Sequence, residues 1–149
     1  MSRTPEGQFR DYLDKVMKGA WIMTWHEDRE INPGVPDVSY VMTCGEYETG
    51  WLELKAIHYD AKKQKHKFNL EASQHSWIQA HCERVPVHLL LCLGDYLVFL
   101  IDGSHHRRLG EALTIEELKS ISTATIPKSD LRVQLTLQLR QLTNRRRHV

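Results

Sequence analysis

A chain of 149 residues has the length of one domain and can bury a core without disulfide or metal staples. Hydrophobic residues at 41% and charged residues at 26% are ordinary for a globular protein and exclude disorder as the dominant state. With 20 basic against 19 acidic residues the net charge is +1, which excludes a globally basic nucleic-acid coat but not a local basic patch.

Taken in chain order, Thr4 and Pro5 read as an N-cap followed by an N1 proline. Phe9, Leu13, Val16 and Met17 keep helical spacing before Gly19, so a first helix is predicted over Pro5 to Lys18. Trp21 to Trp25 reads as a strand, His26 to Glu30 as a charged break, and Asn32-Pro33-Gly34 as a turn. Val38, Tyr40 and Val41 predict a second strand, and Gly45 to Gly50 a polar loop. In the strand Trp51 to Ile57, Leu52, Leu54 and Ala56 share one face, and Trp51, Glu53, Lys55 and Ile57 the other.

His58 to Asn69 is a polar, basic loop, after which Asn69 is expected to cap a helix reaching about Arg84. Val87 to Leu93 and Tyr96 to Asp102, joined by Gly94-Asp95, predict a β-hairpin whose near-continuous hydrophobicity implies cover on both faces. Thr114 and Glu117 form a capping-box pattern for a short helix. In the last segment Leu131, Val133, Leu135, Leu137 and Leu139 alternate like a strand, whereas Leu131, Leu135, Leu139 and Leu142 share a helical face that Ser129 can cap. Helix is the preferred reading, with Arg145 to Arg147 suiting its C-terminus. The order α-β-β-β-α-β-β-α-α predicts a single α/β or α+β domain, a small mixed sheet flanked by helices.

Cys44, Cys82 and Cys92 are odd in number and lack a CxxC spacing, against a disulfide framework or zinc ribbon and in keeping with a reducing cytosol. The opening MSRTPEGQFRDYLDKVM has no apolar run of the secretory kind. The longest apolar stretch, Val85 to Ile101, is interrupted by Pro86, His88, Gly94 and Asp95, too polar to span a bilayer. A cytoplasmic protein with no membrane partner is expected. His105-His106 and the other histidines complete no zinc site of standard spacing, and Trp21, Trp25, Trp51 and Trp77 are expected mainly in the core.

The chemistry-bearing stretch is Pro36-Asp37 followed by Glu53-Leu54-Lys55. If the two strands pair, Asp37 and Glu53 approach one another, and the Leu54 carbonyl can add a third oxygen. That is a donor set for a hard divalent cation. Lys55 emerges on the same face as Glu53. A cation with carboxylates and an ammonium suits phosphodiester hydrolysis, in which the metal polarises phosphate and acidifies water and the ammonium orients that water or meets developing charge.

These residues resemble the PD-(D/E)XK nuclease signature. A helix before the first motif strand carries Glu6, which the resemblance implies as a further metal ligand. In the branch of Holliday-junction resolvases and virus-type replication-repair nucleases a helix after the lysine strand carries a glutamine, and here Ser73-Gln74, followed by Trp77, stands in the matching place. The resemblance covers about Pro5 to Asp102 and leaves a C-terminal helical extension, about 109–149, without a family motif. It implies a restriction-endonuclease-like core and a magnesium-dependent DNA endonuclease in which manganese can substitute. Asp37 and Glu53 are its metal ligands with the Leu54 carbonyl, Lys55 serves the water, and Gln74 positions phosphate or lysine. It also implies a homodimer, a 5′-phosphate product and no organic cofactor. Lys62, Lys63, Lys65 and Lys67, directly after the site strand, are expected to neutralise DNA phosphates.

Gln74 and the compact size favour a structure-selective, junction-resolving enzyme. A sequence-specific restriction or homing endonuclease is the alternative, although no base-reading insertion is evident. A non-catalytic DNA-binding module on a decayed nuclease fold, or a structural protein in which the pattern is accidental, are the readings from other classes. A bacterial or phage setting suits all of the nuclease readings.

Overall fold

The structure is a computed structural model that describes residues 4–27, 33–43 and 48–147, with side chains through residue 142. It opens on α1 (Pro5–Val16), where the Thr4 hydroxyl accepts the Gly7 amide at 3.0 Å and Pro5 stands at the start. Phe9 and Leu13 supply the buried stripe. The helix ends before the expected Lys18. There the Arg132 guanidinium takes the carbonyls of Val16 and Lys18 at 2.6 and 2.8 Å, satisfying groups the helix leaves open.

Six strands form the main sheet in the order β1-β2-β3-β5-β6-β8. They are β1 (Trp21–Trp25), β2 (Val38–Met42), β3 (Thr49–Ile57), β5 (Val87–Leu93), β6 (Leu97–Asp102) and β8 (Ala124–Pro127). β4 (Lys65–His66) and β7 (Leu113–Thr114) make a separate ribbon. β2 and β3 are antiparallel, with Val38 opposite Leu52. β3 and β5 are parallel, with Glu53 opposite Leu89. A parallel pair needs a crossover, and here it carries α2 (Ala72–His81).

Alternation along the strands sorts the core into two layers. Leu52, Leu54, Leu90 and Cys92 face α1 and α4 (Leu131–Arg147). Leu89, Leu91 and Phe99 face α2 with Trp51 and Trp77 at its margin. Every residue of β5 is buried, as a strand covered on both faces must be. The predicted hairpin forms, with Gly94 at φ 58° in its turn and the second strand beginning at Leu97 rather than Tyr96.

Several local expectations are corrected. Thr49 and Gly50 belong to β3, because pairing with Val41 and Tyr40 gives them ladder partners that their own propensities do not favour. The basic segment before α2 contains β4, whose partner β7 lies far along the chain. Glu71, not Asn69, is the N-cap of α2, which ends at His81. The C-terminal segment is not purely helical: β8 pairs with β6 as an edge strand, Ile126 opposite Val98. A 3-10 helix, Gly103–Gly110, and α3 (Ile115–Ile121) precede β8, and α3 has the expected Thr114–Glu117 capping box.

α4 is a helix, so Leu131, Leu135 and Leu139 enter the core while Val133 and Leu137 face outward, 61% and 45% exposed. Arg140 pairs at 3.3 Å with the buried Glu48, tying the helix to the β2–β3 corner. Asp28 to Asn32 and Cys44 to Tyr47 lie outside the described residues, as do the side chains of Arg145 to Arg147. Among the described residues no helix is long and apolar enough to cross a membrane.

Leu135→Ala is expected to cost about 2–5 kcal/mol of unfolding free energy and Leu137→Ala at most about 0.5 kcal/mol, read by urea denaturation. Equal losses would restore the strand reading, in which both residues share a face.

Candidate active site

Asp37 closes the segment leading into β2 and is 3% exposed. One carboxylate oxygen, Oδ2, accepts the Leu54 amide at 2.8 Å. Leu54 therefore contributes its N–H to the site's frame. On the opposite face of β3 from Leu54 stands Glu53, 1% exposed, with Lys55 on its own face. The Lys55 Nζ lies 3.7 Å from Glu53 Oε1. The backbone amide of Asp37 donates to the Glu53 carboxylate, which brings the two acidic residues together.

Gln74 completes the cluster from α2. Its Nε2 donates to Glu53 Oε1 and its Oε1 accepts the Glu71 amide at 2.8 Å. The second bond is half of a capping arrangement, so the start of the helix orients the amide that holds the strand carboxylate. The E-x-x-Q spacing of Glu71 and Gln74 is the sequence signal for this cap.

Gly34 brings the Asp37 segment against that same helix end. Its φ is 85°, and a Cβ there would stand 2.1 Å from the Ser73 carbonyl oxygen. Only glycine meets both the left-handed backbone and that approach. Glu6, in the first turn of α1, lines a cleft of ≈ 350 Å³ with Thr4, Pro5, Gly7, Arg10 and Ala56, and its charge acts on Glu53. Lys62, Lys63, Lys65 and Lys67 are all exposed on the segment that runs from β3 to α2.

An aromatic row beside the site joins residues that the sequence keeps far apart. His26 and Trp51 have ring centroids 5.0 Å apart, Trp51 and Trp77 5.2 Å, and Trp77 stacks on His81 at 3.8 Å. His26 Nε2 also meets Ser39 Oγ at 2.9 Å. The signal available was the alternation that puts Trp51 on the Glu53 face.

Burial, then the Asp37 and Glu6 charges, push the Glu53 carboxyl up to about 8, while Lys55 and the Asp37 amide pull it down. Crowded carboxylates that an ammonium only partly offsets fit a divalent cation with oxygen ligands. Among the described residues no group of three or more His, Cys, Asp or Glu side chains could hold a metal ion by itself. The set fits magnesium, which keeps several waters and takes one or two carboxylates.

A carboxyl raised on folding gives stability that is full below its unfolded pKa and is lost as pH rises through the folded one. The window is about 4.5 to 8. The melting temperature of metal-free protein is accordingly expected to fall between pH 5 and pH 9, roughly that window, and Glu53→Gln is expected to flatten the fall. A wild-type profile as flat as the variant's would contradict the buried, proton-holding Glu53.

No protein-family model matches the chain, and no curated protein matches it in sequence. Among solved structures it is similar to the Holliday junction resolvase Hjc of Archaeoglobus fulgidus, a hyperthermophilic archaeon. The likeness has a TM-score of 0.52 at 13% identity and covers 83% of this chain and 96% of that one. The chain thus has a mixed α/β fold of the restriction-endonuclease-like kind, similar to that of the resolvase, and builds it on a six-stranded mixed sheet flanked by helices.

Proposed function

We propose that this protein is a magnesium-dependent DNA endonuclease of the PD-(D/E)XK type, selective for branched DNA such as a four-way junction. The observation that carries the reading is the buried Asp37–Glu53 pair, with Lys55 and Gln74 on Glu53, at the centre of a fold similar to that of a junction resolvase.

Asp37 and Glu53 are the residues that would hold the cation, with Glu6 adding negative charge from α1 and the Leu54 carbonyl as a further oxygen. When bound, the cation polarises the phosphate and makes water acidic enough to attack near neutral pH. Gln74 fixes Glu53 in place by donating to its carboxylate. Lys55 presents its ammonium at the carboxylate, where it orients the attacking water and offsets charge that develops on the phosphate oxygens. The bond broken is the one that leaves a 5′-phosphate.

Exposed Lys62, Lys63, Lys65 and Lys67 take DNA backbone phosphates on the path from the site strand to the site helix. Their contribution is sequence-independent, which agrees with recognition of shape over sequence. Cutting two strands calls for two sites, and we infer a homodimer for which Val133 and Leu137 on α4 offer exposed apolar surface.

The test is cleavage of labelled linear duplex, single strand and four-way junction, with magnesium, with manganese and with EDTA. Cutting of the junction by the metal-loaded protein is expected to fall by about 10²-fold or more in Asp37→Ala, Glu53→Ala and Lys55→Ala. The fall in Gln74→Ala is expected to be smaller. Metal-independent cutting, or cutting that survives Glu53→Ala, would overturn the assignment. Replacing all four loop lysines by alanine is expected to weaken junction binding and make its salt dependence shallower, by a log–log slope of up to about 4, measured by binding across a salt series.

A further inference from the structure

Away from Glu53, α2 meets the 3-10 helix Gly103–Gly110 through two histidines. His75 Nδ1 and His106 Nδ1 are 2.8 Å apart, and His106 Nε2 is 2.9 Å from Gln79 Oε1. His106 is 3% exposed. An amide oxygen only accepts, so His106 donates from Nε2 and, when neutral, offers a lone pair at Nδ1. His75 must then donate its own Nδ1–H into it. The two Nδ1 atoms share one proton, and a second one between them, on His106, would set two N–H groups face to face.

Beside the pair opens a cleft of ≈ 370 Å³ lined by His75, Ser76, Gln79, His106 and Arg107. These side chains offer a guanidinium, two imidazoles, a hydroxyl and an amide, and no carboxylate. A cation finds no compensating charge there, whereas an oxyanion finds donors and positive charge together. Burial, His75 and Arg107 all hold the His106 imidazole below its usual pKa. An anion in the cleft opposes each of these effects, because it favours the protonated ring.

We propose that this cleft is a second phosphate-binding site, which receives a backbone phosphate of the nucleic acid while another lies at Glu53. The phosphate-oxyanion chemistry stands on the cleft itself, and the choice of nucleic acid as its source rests on the nuclease reading. α2 links the two places. Gln74 holds Glu53, and Gln79 lies further along the same helix, a rise of about 7.5 Å.

The experiment follows the imidazole nitrogens of His75 and His106 by NMR in the full chain with EDTA, so that no DNA is cut. Inorganic phosphate and a four-way DNA junction are titrated separately. Both ligands are expected to move both histidines saturably and to raise the pKa of His106. Gln79→Glu keeps the acceptor for His106 Nε2–H but adds a negative charge, so a merely structural clamp tolerates it. On the proposal it abolishes the phosphate response. Arg107→Ala is expected to lower the log–log salt slope of junction binding by about 1.

Histidines that ignore both ligands, or a Gln79→Glu protein that responds like wild type, would overturn the site. A response to phosphate alone would overturn its assignment to nucleic acid. The nuclease reading fails separately. Absence of metal-dependent cutting with an intact histidine response sinks that reading alone, and normal cutting with silent histidines sinks this one alone.

Discussion

One side-chain amide couples the two halves of the candidate site. Gln74 donates to Glu53 on the central strand and accepts from the Glu71 amide at the start of α2. The bond exists because β3 and β5 run parallel. A parallel pair requires the chain to return across the sheet, and the returning helix lays its first turn over Glu53, midway along β3. Gly34 packs against that same turn through Ser73 and brings in Asp37. Strand pairing, helix cap and glycine turn thus converge on one carboxylate.

That convergence has an energetic cost. Burying Glu53 beside Asp37 disfavours the ionised form that chemistry with a cation needs. The Lys55 ammonium and the Asp37 amide offset part of the penalty, and Gln74 fixes the carboxylate in place. The two core layers make such a centre tolerable, because every β5 residue is buried and holds the strand beside Glu53 in register. Sites that strain a fold in this way are expected where function demands it. α2 serves that role twice on the proposals above. Its first turn orients the carboxylate, and its next turns, against the 3-10 helix, gather histidines and an arginine around a cleft suited to phosphate.

Elements with a strong local pattern were legible before the structure. Thr4-Pro5 announced α1, Gly94-Asp95 announced the hairpin, and Thr114 with Glu117 announced α3. In each case the signal lies within a few residues and acts through backbone hydrogen bonds or allowed dihedrals. Elements that depend on distant partners were not legible. β4 and β8 are short and owe their existence to β7 and β6, and Thr49-Gly50 joins β3 because β2 lies alongside. The cap of α2 falls at Glu71 and not Asn69 for a subtler reason. Asn69 has the better intrinsic capping propensity, but Gln74 is already held by Glu53 and can close only on Glu71.

The same division applies to the candidate site and to the chain as a whole. Residue types and alternation were sufficient to place Asp37 ahead of a strand and Glu53 with Lys55 on one face of the next, because period-two geometry needs no tertiary information. The helical stripe Leu131, Leu135, Leu139 was likewise present in the sequence, although it competed with strand alternation until the sheet offered a surface for it. Tertiary structure alone decided that Leu54 contributes its amide to Asp37, that Gln74 grips Glu53, and that His75 meets His106. These contacts join residues far apart in the chain. Their free energy comes from burial and from pairing in a low dielectric, and both exist only once the layers have closed.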